Sequence, residues 1–276
     1  MINMIYGLYF YIYVNPFSIY FIRSTLYPGR EYKLSPGMLM EEIIGRIRGE
    51  LRSFPEEDRT PDFQRFFKEE TKCYGLKTAP VSKLAKRYWK EIKDLEKEEI
   101  FSLCEELFSS GYTEESFIAS VWTEKCSGMF EEGDIETFRR WIDSYIDNWA
   151  KCDTLCNHTV GDYIVMFPHR IADLREWAKS ENRWLRRAAA VTLIIPAKKG
   201  YFLEDIFGIS DILLEDGDDM VQKGYGWMLK DASITHMNEV FGYVMKNKRR
   251  MPRTALRYAV ERMPKDLRAE AMKKDW

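Results

Sequence analysis

HRIADLREWAKSENRWLRRAAAVTLIIPAKKG, residues 169–200, carries two apolar patterns separated by a polar break at Ser180-Glu181-Asn182. In each half the apolar residues recur at helical steps, the signature of a helix that buries one stripe. Pro196 is expected to stop the second helix. Helix, short break, helix is one unit, and residues 205–233 and 237–263 repeat that layout. Strands of useful length with alternating character are not evident, so the chain reads as all-α and built of paired helices.

The units share a sequence feature. In RRAAAVTL, QKGYGWML and PRTALRYA a basic residue (Arg187, Lys223, Arg253) is followed by small or apolar residues that let helices approach closely. These basic positions are separated by 36 and 30 residues (187 to 223 and 223 to 253), near the period of HEAT-type helical pairs. Such pairs stack into an α-α superhelix, a solenoid whose concave face collects one residue type from each repeat. Here that type is basic, with Trp184 and Trp227 nearby.

Upstream the reading is also helical. MEEIIGRIRGELRSF (residues 40–54) places Ile43, Ile44, Ile47 and Leu51 on one stripe, and Phe54-Pro55 closes it. TPDFQRFFKEETKC (60–73) reads as another amphipathic segment, and three more helical segments follow over residues 79–95, 97–112 and 113–130. In GDIETFRRWIDSYID (133–147), Asp134 is the expected N-cap, with Ile135, Phe138, Trp141, Ile142 and Tyr145 inward.

Residues 1–38 differ in character. The run from Ile2 to Ile22 is uncharged and long enough to cross a bilayer. Against a span stand Asn15-Pro16 in its middle, many tyrosines and no preceding basic residue; a signal peptide would need a basic start and a small-residue cleavage site. The expectation is an upstream extension, non-native or disordered, with membrane attachment as the alternative. Residues 39–276 are then expected to form a single helical-repeat domain.

Composition narrows the function classes. Apolar residues are 45% and charged residues 31% of the 276, the profile of a folded helical chain. A net charge of −2 gives no global positive field, so any nucleic-acid contact must be local. Acidic runs such as FPEED lie before Asp134, whereas KNKRRMPR (246–253) and RMPKDLR (262–268) sit in the last quarter. Five cysteines in no secreted pattern point to reduced thiols and a cytoplasmic protein. Cys152, Cys156 and His158 match no common zinc spacing, so neither a metal nor a cofactor is expected.

IDNWAKCDTLCNHTVGDY (146–163) sets Trp149 and Asp153 four residues apart, one turn apart on one helical face. An indole beside a carboxylate suits a cationic or sugar-like partner. Singly, a Trp, an Asp or an Arg on a helix is ordinary; jointly, consecutive repeats would deliver Trp149, Asp153, Arg187 and Trp227 to one groove.

NWAKCDTL, RWLRRAAAV and QKGYGWMLKD, with a weaker match at CYGLKTAPVSKLAK, give the chain its resemblance to the AlkD-like DNA alkylation repair glycosylases, from about Met40 to Met263. The resemblance implies HEAT-like repeats with a concave DNA-binding face. It implies hydrolysis of the N-glycosidic bond of cationic N3- or N7-alkylated purines in double-stranded DNA, without a base-binding pocket, in base excision repair. Carried over by residue, Asp153 would be the catalytic carboxylate and Trp149 and Trp227 the flanking aromatics. Arg187 would contact DNA, and Trp184, Lys223, Lys230 and Arg253 join it as DNA-binding candidates. Ala79 and Ser82 stand where the family often has a proline and a basic residue. The chain is expected to act as a monomer. The alternative is an inactive helical-repeat module that binds DNA or a protein through the same face.

Overall fold

A computed structural model describes the backbone of residues 36–274, with side chains from Gly37 onward, and the backbone of four short strands before them. From Pro36 on the fold is all-helical, as the periodicity predicts. The strands β1 (Met4–Ile5), β2 (Leu8–Val14), β3 (Tyr20–Ser24) and β4 (Glu31–Lys33) form an antiparallel sheet in sequence order, with Ile12 opposite Ile22 and Ile22 opposite Tyr32.

The strands correct the reading that no strand is present. LYFYIYV alternates tyrosine with aliphatic or phenylalanine residues, all of high β-propensity. An uncharged run of this length is also the signature of a bilayer span, and its uniform apolarity masks the period-two alternation. Among the described residues no helix is long and apolar enough to cross a membrane. The expectation that residues 1–38 are an extension falls in part outside the described residues.

Residue contacts divide the chain into two compact units, residues 1–66 with 72–123 and residues 67–71 with 124–276. The first contains α1 (Pro36–Ser53), α2 (Thr78–Ile92), α3 (Lys97–Ser109) and most of α4 (Thr113–Lys125). α1 buries Ile43, Ile44, Ile47 and Leu51. Two buried carboxylates at the start of α4 hold the preceding loop. Glu115 accepts from Arg48 Nε at 3.0 Å and from the Tyr74 hydroxyl at 2.7 Å; Glu114 accepts from the Tyr74 and Leu76 backbone N–H groups.

The segment 60–73 is not the expected helix. Only a 3-10 turn, Phe63–Phe66, forms there, entered through Asp62 at a left-handed φ of 52°. The apolar spacing ends at Phe67, because KEETK (68–72) supplies nothing to continue the stripe.

In the second unit follow α5 (Asp134–Tyr145), α6 (Trp149–Thr154), a π-helical turn (Leu155–Val160), α7 (Gly161–Met166), α8 (Ile171–Trp177) and α9 (Arg183–Val191). Next come α10 (Ile194–Lys198), α11 (Leu203–Ile212), α12 (Asp219–Ala232), α13 (Met237–Asn247), α14 (Arg253–Ala259) and α15 (Lys265–Met272). Ile135, Phe138, Trp141 and Ile142 are buried as expected, and Tyr145 is half-buried. Asp134 is the first residue of α5, not its N-cap, and its carboxylate accepts the Glu131 N–H at 2.8 Å. α9 ends before Pro196, which lies in the first turn of α10, where its missing N–H costs nothing.

The helices that carry the repeated motifs are neighbours: α6 packs on α9, α9 on α12, and α12 on α14. Small residues make the approach possible. Ala188, Ala189 and Ala190 are fully buried on α9. On α12, Gly226 meets α14 so closely that a methyl group there would lie 2.7 Å from the Ala255 carbonyl oxygen. α6, α9 and α12 each open with a side-chain cap: Asn148 accepts from the Lys151 N–H, Asn182 from Trp184 and Asp218 from Met220, whereas α14 follows Pro252 without one.

Candidate active site

Asp153 lies in the last turn of α6, two residues before the start of the π-helical turn and one turn after Trp149. π turns within helices are frequent at functional sites. The carboxylate is buried, with the residue 8% exposed, and is gripped by Arg187 of α9. Arg187 Nε donates to Asp153 Oδ1 at 2.9 Å and Nη2 to Oδ2 at 2.8 Å, a bidentate pair. Arg187 Nη1 donates to the Met220 carbonyl oxygen on α12, so one guanidinium ties three successive helices. Burial pushes the Asp153 carboxyl above the ordinary carboxylate range, and the guanidinium beside it draws it part of the way back. Next to Asp153, burial and the Cys156 thiol hold the Cys152 thiol far up, so it stays protonated.

The aromatic candidates occupy two kinds of place. Trp149 is half-buried and stacks on Phe67 with ring centroids 5.6 Å apart and an interplanar angle of 25°. Trp227 is half-buried on α12, and its indole N–H donates to Asp231 Oδ2 at 2.7 Å. Trp184, by contrast, is a core residue: it is 7% exposed, and Arg183 covers its ring at 4.8 Å.

The cations expected to meet DNA are engaged within the protein. Arg187 is only 4% exposed and closed on Asp153, because a buried guanidinium needs a counter-charge. Lys223 pairs with Asp219 at 3.1 Å, Lys230 with Glu261 at 3.1 Å, and Arg253 donates to the Met272 carbonyl oxygen. In KNKRRMPR, Lys248 is buried with its ammonium on the Glu270 and Lys273 carbonyl oxygens, and Arg250 pairs with Glu215.

Sequence reasoning missed three neighbours of these residues. Asp231 is fully buried, with Lys198 and Arg262 within 3.3 and 3.5 Å. Its signal was present: WAKCD and WMLKD both set an aspartate four residues after a tryptophan. Arg183 joins Glu69 at 2.8 Å and Asp218 at 2.9 Å. Phe67 comes from a segment that periodicity assigns to a helix, and no local pattern marks it as a partner of Trp149.

Residues 47–263 match a family model described as DNA alkylation repair enzyme. No curated protein matches the chain. Among solved structures the chain is similar to one described as a predicted DNA alkylation repair enzyme from Enterococcus faecalis. The TM-score is 0.67 and the identity 16%, over 75% of this chain and 98% of that one, a likeness of fold. It is also similar to the Pseudomonas fluorescens alkylpurine DNA glycosylase AlkC, bound to DNA containing an abasic site analog. There the TM-score is 0.44 and the identity 14%, over 81% of this chain and 64% of that one.

Proposed function

This chain belongs to the DNA alkylation repair enzyme family, and from that premise we propose that it is a glycosylase that hydrolyses the N-glycosidic bond of cationic N3- or N7-alkylated purines in duplex DNA. The observation that supports this reading is a single arrangement. Three helices packed in succession carry Trp149 with Asp153, Arg187, and Trp227, and the carboxylate is held in a fixed orientation by a fork of two hydrogen bonds.

The chemistry asks for little more. An alkylated purine is positively charged and leaves readily: the bond from C1′ to nitrogen breaks, its electron pair goes to the base, and the base departs neutral. The sugar is left as an oxocarbenium ion. Water adds at C1′ and gives up its proton. Asp153 acts electrostatically on the developing cation and orients the water, an effect strengthened where water is excluded. The faces of Trp149 and Trp227 add cation–π attraction to the charged nucleotide. Arg187 orients Asp153 in the closed pair, and contact between Arg187 and DNA would open that pair. Lys223, Lys230 and Arg253 would exchange their internal partners for phosphates, giving salt-dependent affinity.

Duplex DNA with one 7-methylguanine, incubated with the wild type and with Asp153→Asn, tests the reading. The wild type should release the base, and the variant should be slower by about a hundredfold or more. Equal release by both proteins would reject the role of Asp153. The burial of the Asp153–Arg187 pair favours one alternative, a non-catalytic helical-repeat module in which the pair only locks α6 to α9. A wild type that binds the duplex and releases no base is that module.

A further inference from the structure

Residues 67–71 run as a non-helical strap within the second unit and touch three successive motif helices at their first residues. Phe67 stacks on Trp149, the first residue of α6. Glu69 accepts from Arg183, the first residue of α9, at 2.8 Å. Lys68 pairs with Asp219, the first residue of α12. Phe67 is 9% exposed, so its ring is spent on the protein interior and not on solvent.

A tryptophan at the first position of a helix has a particular weakness. Its Cα–Cβ bond tilts toward the N-terminus, where its own helix has no preceding turn to support the ring. The indole must find support elsewhere or move among rotamers. The centroid separation of 5.6 Å and the 25° angle place Phe67 in the offset-stacked range that aromatic pairs favour. The two ion pairs fix the strap to the site's arginine-bearing helix, α9, and to α12, and neither touches Asp153 or Arg187.

We propose that Phe67 is a positioning residue for the glycosylase site: it holds the Trp149 indole in one orientation, and so acts on catalysis through Trp149. This rests on the glycosylase reading for its effect on rate, while the orientation of the ring is a property of the free protein. An aromatic displaced by an ångström from its working position costs about a hundredfold at most in a well-ordered site.

The test compares wild type, Phe67→Ala, Phe67→Leu and Phe67→Tyr in single-turnover release of 7-methylguanine, each also in a Trp149→Ala background. Phe67→Ala and Phe67→Leu should slow release by about tenfold or more, with affinity for undamaged duplex unchanged, and Phe67→Tyr should restore the rate. In the Trp149→Ala background Phe67→Ala should bring no further loss. A full additional loss there, or wild-type rates for both Phe67→Ala and Phe67→Leu, would overturn the proposal. The ring itself is followed by fluorine NMR of 5-fluorotryptophan-labelled protein, with the Trp149 line identified by its loss in Trp149→Phe. That line should shift and broaden in Phe67→Leu, which retains bulk and guards against unfolding, and return in Phe67→Tyr. An unmoved line would refute the proposal even if the wild type released no base, an outcome that by itself counts only against the glycosylase reading.

Discussion

In the proposed mechanism Asp153 has to be ionised to stabilise a sugar cation, and burial works against that while Arg187 works for it. The folded carboxyl therefore titrates above the ordinary aspartate range, and activity carried by the anion is lost as pH falls through that raised value. The acid limb of single-turnover base release, corrected for spontaneous depurination, should lie at higher pH than an exposed aspartate would give. Arg187→Lys keeps a positive charge but not the fork of two bonds, and should move the limb higher still; a limb at the same pH in both proteins would contradict the pairing argument. At this scale the candidate site was half readable. Trp149 and Asp153 stand out by their spacing, and Arg187 and Trp227 by their recurrence. That Arg187 closes on Asp153 was not readable, because a sequence gives no distance between residues on different helices.

The helices were readable where an apolar stripe continues over several turns, as in α1 and α5, because burial of that stripe is what makes each helix stable. They were not readable where three phenylalanines imitate the start of a stripe, in residues 63–67, or where the alternation of a strand lies inside a uniformly apolar run, in β2. Close helix packing was announced by QKGYGWML, and its two glycines now separate in role. A methyl group at Gly226 would lie 2.7 Å from the Ala255 carbonyl oxygen and from Tyr258 Cβ, so the backbone of α12 or α14 must move. At Gly224 the nearest atoms are Arg187 Cγ at 3.4 Å and Val191 Cγ1 at 3.5 Å, the near edge of ordinary van der Waals contact, with no backbone atom in the way. Gly226→Ala should lower stability by about 1–3 kcal/mol through overpacking. Gly224→Ala should lose nothing and gain up to about 1 kcal/mol from helix propensity. Urea unfolding of the two variants reads both signs, and equal midpoints would count against the packing argument.

For the whole molecule the question is how a chain of net charge −2 would grip a polyanion. Lys223 faces Asp219, Lys230 faces Glu261, and Arg250 faces Glu215, each cation meeting a carboxylate of the same unit. A phosphate that takes one of these cations displaces a carboxylate and leaves it close to the backbone charge, which lowers the gain per contact. On the proposed reading, the charge pattern would temper affinity for undamaged DNA without removing the cations. Glu261 is the informative partner, since it is exposed, lies away from Asp153 in sequence and pairs with Lys230 at 3.1 Å. Glu261→Gln should leave base release near its wild-type rate, tighten binding to undamaged duplex and steepen the salt dependence of affinity by about one phosphate contact. Fluorescence anisotropy over a salt series measures both. Unchanged affinity and slope would mean that Lys230 does not meet the DNA backbone.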